Sequence, residues 1–153
     1  MSDRIPTTAN IQIKEISDSV LLKAVFEIRQ KVFVEEQAVD PEEEYDEFED
    51  SSRHFLLLAG GKPCATGRFR STDKGWKIER MAVLAEERGN GYGGMVLQKM
   101  LEQVPQDERP IYLHAQEHAL SFYQRHHFKA VGERFWEANI PHFKCVWQAP
   151  AQS

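Results

Sequence analysis

The chain has 153 residues, 41% of them hydrophobic, enough to build a continuous core in one domain. Charged residues make up 28%, and the formal net charge of -5 disfavours a nucleic-acid backbone as partner. Neither Met1-Ser2-Asp3-Arg4-Ile5-Pro6 nor any later run offers a signal-peptide core or the ~18 apolar residues of a membrane span, so a cytoplasmic single domain over 1–153 is expected.

Ile11, Ile13 and Ile16 open the chain with a strand-like pattern, and Ser17-Asp18 supplies an N-cap for a helix. Leu21, Val25, Ile28 and Val32 then recur at helical spacing and predict one helix over 19–34 with a single buried stripe. Pro41 and the acid-rich run Glu42 to Asp50 read as a long loop or short irregular helix; the carboxylates are expected to be solvated, with an acidic mouth that attracts cations as the alternative. His54 to Ala59, the turn Gly60-Gly61 and Pro63 to Arg70 predict a hairpin, followed by a turn at Asp73-Lys74-Gly75.

In the strand from Trp76 to Leu84 the apolar positions are Trp76, Ile78, Met81 and Val83, so the phase slips by one residue. A β-bulge near Glu79-Arg80 explains the slip and frees backbone groups for a ligand; equally, both faces of a central strand are covered. Val96, Leu97, Met100, Leu101 and Val104 define a helix stopped by Pro105. Ile111-Tyr112-Leu113 starts another strand, Ala119 to His126 a short helix, and Phe128 to Phe135 and Phe143 to Trp147 two closing strands. The alternation predicts an α/β (α+β) fold: a mixed, mostly antiparallel sheet flanked by helices. Cys64 and Cys145 form no CxxC pair and are expected to be reduced, partly buried thiols. His114 and His118 straddle a strand-to-helix junction without further ligand spacing, so no metal is expected.

The chemistry concentrates in Arg88-Gly89-Asn90-Gly91-Tyr92-Gly93-Gly94, between an apolar strand and an amphipathic helix. Glycines let backbone approach a ligand, and the unpartnered first amides of a helix at the positive end of its dipole suit a diphosphate. The bland counterpart is an ordinary strand-to-helix loop. A nucleoside triphosphate site fails because no Gly-Lys-Ser/Thr follows, and a dinucleotide fold fits poorly after hairpin strands.

With Arg88, Gly91 and Gly93 filling Arg/Gln-x-x-Gly-x-Gly/Ala, the chain resembles the GNAT acetyltransferase superfamily. Arg29, Val32-Phe33-Val34-Glu35-Glu36-Gln37, His54, Ala115-Gln116, Phe122-Tyr123 and Ile140-Pro141-His142 resemble the ElaA/YjcF branch of small bacterial members. The resemblance implies a sheet splayed in a V and binding of acetyl-CoA, with Met81, Ala82 and Val83 on the pantetheine arm. It places the amides from Gly89 to Gly94, including Asn90 and Tyr92, on the diphosphate beside Arg88, with Gln116 and Phe122 also lining the cofactor. Tyr123 becomes the donor to the leaving thiolate; its alternative is a core-facing helix residue. Glu79 is the candidate base through a water, or else a strand carboxylate paired with Arg80 or Arg68. A base or desolvating pocket is needed because stripping a proton from an alkylammonium of pKa ~10.4 costs about 4.6 kcal/mol at neutral pH.

On the acceptor side the resemblance implies Phe33, Glu36, Gln37 and His142, the last a base, a substrate partner or merely the residue after a turn proline. The expected reaction is acetyl transfer to a primary amine of a small molecule or peptide, by direct attack in a ternary complex. A non-catalytic acyl-CoA sensor and a longer-chain acyltransferase are the alternatives, and the resemblance leaves a homodimer open. One departure stands out: His127-Phe128 replaces the Gly-Phe that often closes the tyrosine helix.

Overall fold

Ile78 and Leu113 are the last residues through which two central strands hold together, in a sheet that is otherwise continuous. The computed structural model describes residues 10–150. Its strands are β1 (Ile11–Ile16), β2 (Arg53–Ala59), β3 (Lys62–Thr72), β4 (Gly75–Val83), β5 (Ile111–Gln116), β6 (Phe128–Glu137) and β7 (Ile140–Trp147). They form one seven-stranded sheet ordered β1-β2-β3-β4-β5-β7-β6. All neighbours are antiparallel except β4 and β5, which run parallel through only Trp76–Ile111, Lys77–Tyr112 and Ile78–Leu113. Past Ile78 and Leu113 the strands part, which is the V that the family resemblance implied.

Helices cover both faces: α1 (Ser19–Arg29) on one, α3 (Tyr92–Gln103) and α4 (Leu120–Arg125) on the other, with the short α2 (Pro41–Glu44) near the open end. The continuous apolar run of β2 is the reason. Phe55 and Leu57 join Val96, Leu97 and Met100 of α3, while Leu56 and Leu58 join Val25 and Ile28 of α1. A strand buried on both faces reads as unbroken hydrophobicity, and each such side chain contributes about 1.5–3 kcal/mol on burial.

The N-cap of α1 is Asp18, whose carboxylate accepts from Leu21 N at 2.9 Å. The helix expected over 19–34 stays α-helical only to Arg29, then widens into a π-helical segment, Gln30–Glu36, and so runs two residues further. Such segments are rare and gather at functional sites. The phase slip in β4 is a bulge: Thr66 faces Ala82 and Arg68 faces Glu79, three steps on β4 against two on β3. Arg80 takes the extra step at φ 58°. The closing strands are longer than predicted, β6 reaching Glu137 and β7 starting at Ile140, so His142 lies within a strand.

The acid-rich segment corrects the expectation of a solvated loop. Glu44, Asp46 and Glu49 turn inward onto Arg29, Arg68 and Arg80. Arg29 and Arg68 are fully buried, and a buried guanidinium is tolerated only with its donors taken. Arg29 donates to Glu44 Oε2 at 2.7 Å, to the Glu44 carbonyl at 2.8 Å, and to both carboxylate oxygens of Glu49. Cys64 and Cys145 are buried and unpaired, and burial pushes the Cys145 thiol up to about 11. Among the described residues, no helix is long and apolar enough to cross a membrane.

Candidate active site

The helix α3 starts at a glycine that is already in position to expose its amides. Gly91 is the N-cap at φ 78°, no side chain caps the helix, and the first backbone bond is Met95 N to Gly91 O at 3.1 Å. The amides of Tyr92, Gly93 and Gly94 therefore have no partner within the helix. Gly89, at φ 88°, makes the preceding turn. A Cβ on Gly94 would press on the His126 ring at 3.1 Å, so the absence of a side chain there lets this turn pack closely on the residue that ends α4.

A cavity of about 1400 Å³ fills the V and joins this helix start to the far strands. Typical small-ligand pockets are roughly 300–1,000 Å³, so the space admits a long ligand together with a second molecule. Of the residues singled out from sequence, Phe33, Glu36, Gln37, Glu79, Met81, Ala82, Val83, Arg88, Gly89, Gly91, Tyr92, Gly93, Gly94, Gln116, Phe122, Tyr123 and His142 all line it. Asn90 does not: its side chain turns back to donate to the Glu87 carbonyl at 3.0 Å. Tyr92 reaches the cavity from a buried position in the core.

Arg88 forms a two-pronged ion pair with Glu36, at 2.9 and 3.0 Å, and its Nε donates to the Val83 carbonyl at 3.1 Å. This ties the strand end before the glycines to the π-helical wall. Gln116, at the tip of β5, donates to Gln37 Oε1 at 2.8 Å and takes His118 Nε2 at 2.6 Å. The glutamine pair spans the mouth of the V.

Tyr123 is buried against Phe128 and Phe122, with ring centroids at 6.0 and 5.0 Å, yet still borders the cavity. Burial raises its pKa well above that of an ordinary phenol, so the hydroxyl stays protonated at all physiological pH values. A phenol held neutral can donate a hydrogen bond. His127 occupies the left-handed region at φ 71°, so the turn after α4 keeps the conformation that glycine would adopt there.

Glu79, read from sequence as a base or a paired strand carboxylate, sits among three cationic side chains. Arg68 and Arg70 donate to it at 2.7 to 3.1 Å, and Lys77 Nζ lies 3.1 Å away. Burial opposes its ionisation, but the Arg70 hydrogen bond and the charges of Arg68 and Lys77 prevail and hold its carboxyl at about 2. An anion so stabilised is a poor proton acceptor at neutral pH. Its geometry matches the alternative of a paired strand carboxylate, with Arg68 as the partner. Arg80 instead spans from the bulge to the Glu43 and Glu44 carbonyls and Asp46.

The end of the cavity formed by β5, β6 and β7 holds a cluster that sequence reading missed. His114 of β5 and His142 of β7 flank Glu137 of β6, and all three line the cavity. His114 figured in the sequence only as a rejected metal ligand, and Glu137 not at all; strand pairing, not spacing, brings them together. Among the described residues, no group of three or more His, Cys, Asp or Glu is arranged to hold a metal.

The family described as Acetyltransferase (GNAT) domain matches residues 14–148. The uncharacterized N-acetyltransferase YjcF of Bacillus subtilis (strain 168) is 40% identical over 128 residues, covering 82% of this chain and 91% of that protein. The crystal structure of Escherichia coli ElaA superposes with a TM-score of 0.79 at 28% identity, covering 91% of this chain and 99% of that one. An acyl-CoA N-acyltransferase from Pseudomonas aeruginosa superposes at 0.77, also 28% identical, with the same coverage. The chain belongs to the GNAT acetyltransferase family, on the branch of YjcF and ElaA.

Proposed function

We propose that this enzyme transfers an acetyl group from acetyl-CoA to a primary amine of a small molecule or peptide, by direct attack in a ternary complex. The observation that carries the reading is the uncapped, glycine-built start of α3 opening into the same 1400 Å³ cavity as the protonated Tyr123. The amides of Tyr92, Gly93 and Gly94 suit the diphosphate of acetyl-CoA, and the unpaired edge of β4 at Met81 to Val83 suits its pantetheine amides. Acetyl-CoA supplies an activated acyl carbon with a thiolate leaving group. Tyr123 donates a hydrogen bond to the sulfur as charge grows there.

Both cysteines are buried, and the high thiol pKa of Cys145 makes it a poor nucleophile, which supports direct attack over an acyl-enzyme. Release of free thiol from acetyl-CoA in the presence of pooled polyamines, amino acids and aminoglycosides tests the reading. Turnover that falls at least a hundredfold in Tyr123→Phe, with CoA binding intact, supports catalysis. Tight CoA binding without turnover on any amine would instead favour a sensor.

A further inference from the structure

We infer that Glu137 and His142 form the seat for the acceptor's reacting ammonium group, and that His142 Nε2 is the base that takes its proton. This rests on the acetyl-transfer reading and names the groups that receive the amine.

The β6–β7 hairpin turns through Ala138 and Asn139, both left-handed at φ 49° and 63°, which sets Glu137 opposite Ile140. His142 Nδ1 lies 2.7 Å from the Ile140 carbonyl, which can only accept, so Nδ1 carries a proton and, in the neutral ring, the lone pair is on Nε2. That Nε2 faces Glu137 Oε2 at 4.0 Å, beyond hydrogen-bond reach. Two acceptors at this separation can both receive a hydrogen bond from one nitrogen lying about 2.8 Å from each. Neither acceptor has another hydrogen-bond partner among the described residues.

The other carboxylate oxygen is taken, since His114 Nδ1 lies 2.8 Å from Glu137 Oε1 and fixes the group. Phe135 steadies both rings, edge-on to His114 at 4.9 Å and stacked with His142 at 5.9 Å. The His114 hydrogen bond holds the Glu137 carboxyl below its usual range, so it stays anionic at neutral pH. Lys77, which also acts on Glu137, is engaged by Glu79 at 3.1 Å.

An ammonium group seated here donates one N–H to Glu137 Oε2 and one to His142 Nε2. Transfer of the second proton leaves a neutral amine and an imidazolium, whose charge Glu137 balances. The nitrogen lone pair forms the N–C bond to the thioester carbonyl carbon, the C–S bond breaks, and its electron pair leaves on sulfur. The remaining excess N–H proton passes to sulfur as Tyr123 donates to the sulfur and accepts from nitrogen, and the imidazolium proton goes to water. The seat selects protonated amines with at least two N–H donors, as primary amines have: an alcohol brings one donor and no charge, and a quaternary ammonium brings no donor.

Histidine ring NMR on labelled protein, titrated with n-butylammonium chloride, tests the seat without turnover. Saturable shifts of the His142 ring signals are expected, absent with 1-butanol or tetramethylammonium. Glu137→Gln is expected to weaken binding about tenfold, as loss of a charged hydrogen bond does, and Glu137→Asp to recover part of it. With n-butylamine as acceptor, Glu137→Gln raises the amine KM while leaving the acetyl-CoA KM unchanged, whereas His142→Gln lowers kcat. Equal shifts with 1-butanol, or undiminished binding in Glu137→Gln, would overturn the seat. Missing CoA binding sinks the acetyl-transfer reading alone and leaves the titration legible; missing ammonium binding with CoA bound sinks only the seat.

Discussion

Arg68 Nη2 donates to Glu79 Oε1 at 2.8 Å from a guanidinium that has no solvent exposure. Glu79 is ionised more readily in the folded chain, at about 2, than at its ordinary value of 4.5. The unfolded chain therefore binds the extra proton between these values, and stability rises with pH across that window. The stabilisation is complete above about pH 4.5 and lost as pH falls through 2, on the order of 3 kcal/mol in all. The gap between the urea midpoints of the wild type and Glu79→Gln is expected to be smaller at pH 3 than at pH 7, because at pH 3 the unfolded chain has taken up the proton while folded Glu79 is still ionised. In the folded variant kcat is expected to stay within a few-fold at pH 7; a collapse of kcat at unchanged stability would restore Glu79 as the base.

Arg29 is as deeply placed, with Glu44 and Glu49 as its carboxylate partners. Arg29→Leu removes the partner of Glu44 Oε2 and leaves that buried carboxylate with Arg80 alone, which is expected to cost about 3 kcal/mol by chemical denaturation. Adding Glu44→Leu to the same chain should return a substantial part of that loss, since the stranded charge is then gone. A double variant no more stable than the single one would contradict this.

His127 holds a left-handed backbone with an exposed side chain. The conformation costs an L-residue roughly 1–2 kcal/mol, against about 0.5–1 kcal/mol of extra chain entropy for glycine. His127→Gly is accordingly expected to raise the melting temperature slightly, and His127→Val, with a branched Cβ, to lower it. The opposite order would mean that the His127 ring has a role its exposure does not reveal.

Gly91 has open space where a Cβ would stand, but its φ is 78°. A branched residue there strains the turn and twists the amides at the start of α3. Gly91→Val is expected to weaken CoA at least tenfold by calorimetry while costing about 1–2 kcal/mol of stability. Unchanged affinity would separate the glycine turn from the cofactor.

What sequence revealed divides along a physical line. The β4 bulge was legible because a one-residue slip between Ile78 and Met81 throws side chains to the other face, and the glycine turn because four glycines have few reasons to crowd a helix start. Arg29, Arg68 and Glu44 were not, since charged residues default to the surface and only tertiary burial reveals them as a core network. For Glu79 the pairing with Arg68 was one of two readings the sequence offered, and only tertiary placement shows Arg70 and Lys77 joining it. The His114–Glu137–His142 cluster is assembled by β5, β6 and β7 pairing, so no local spacing announces it. The π-helical turn at Gln30–Glu36 was hidden because its apolar positions still fit an α-helical stripe.

The most direct measurement is a backbone amide NMR titration of ¹⁵N-labelled protein with CoA. The amides of Tyr92, Gly93 and Gly94 are expected to show the largest shifts, with Met81 and Val83 following along the open edge of β4. Shifts confined to other surfaces, with those amides unmoved at saturating CoA, would contradict the placement of the cofactor and the acetyl-transfer site built on it.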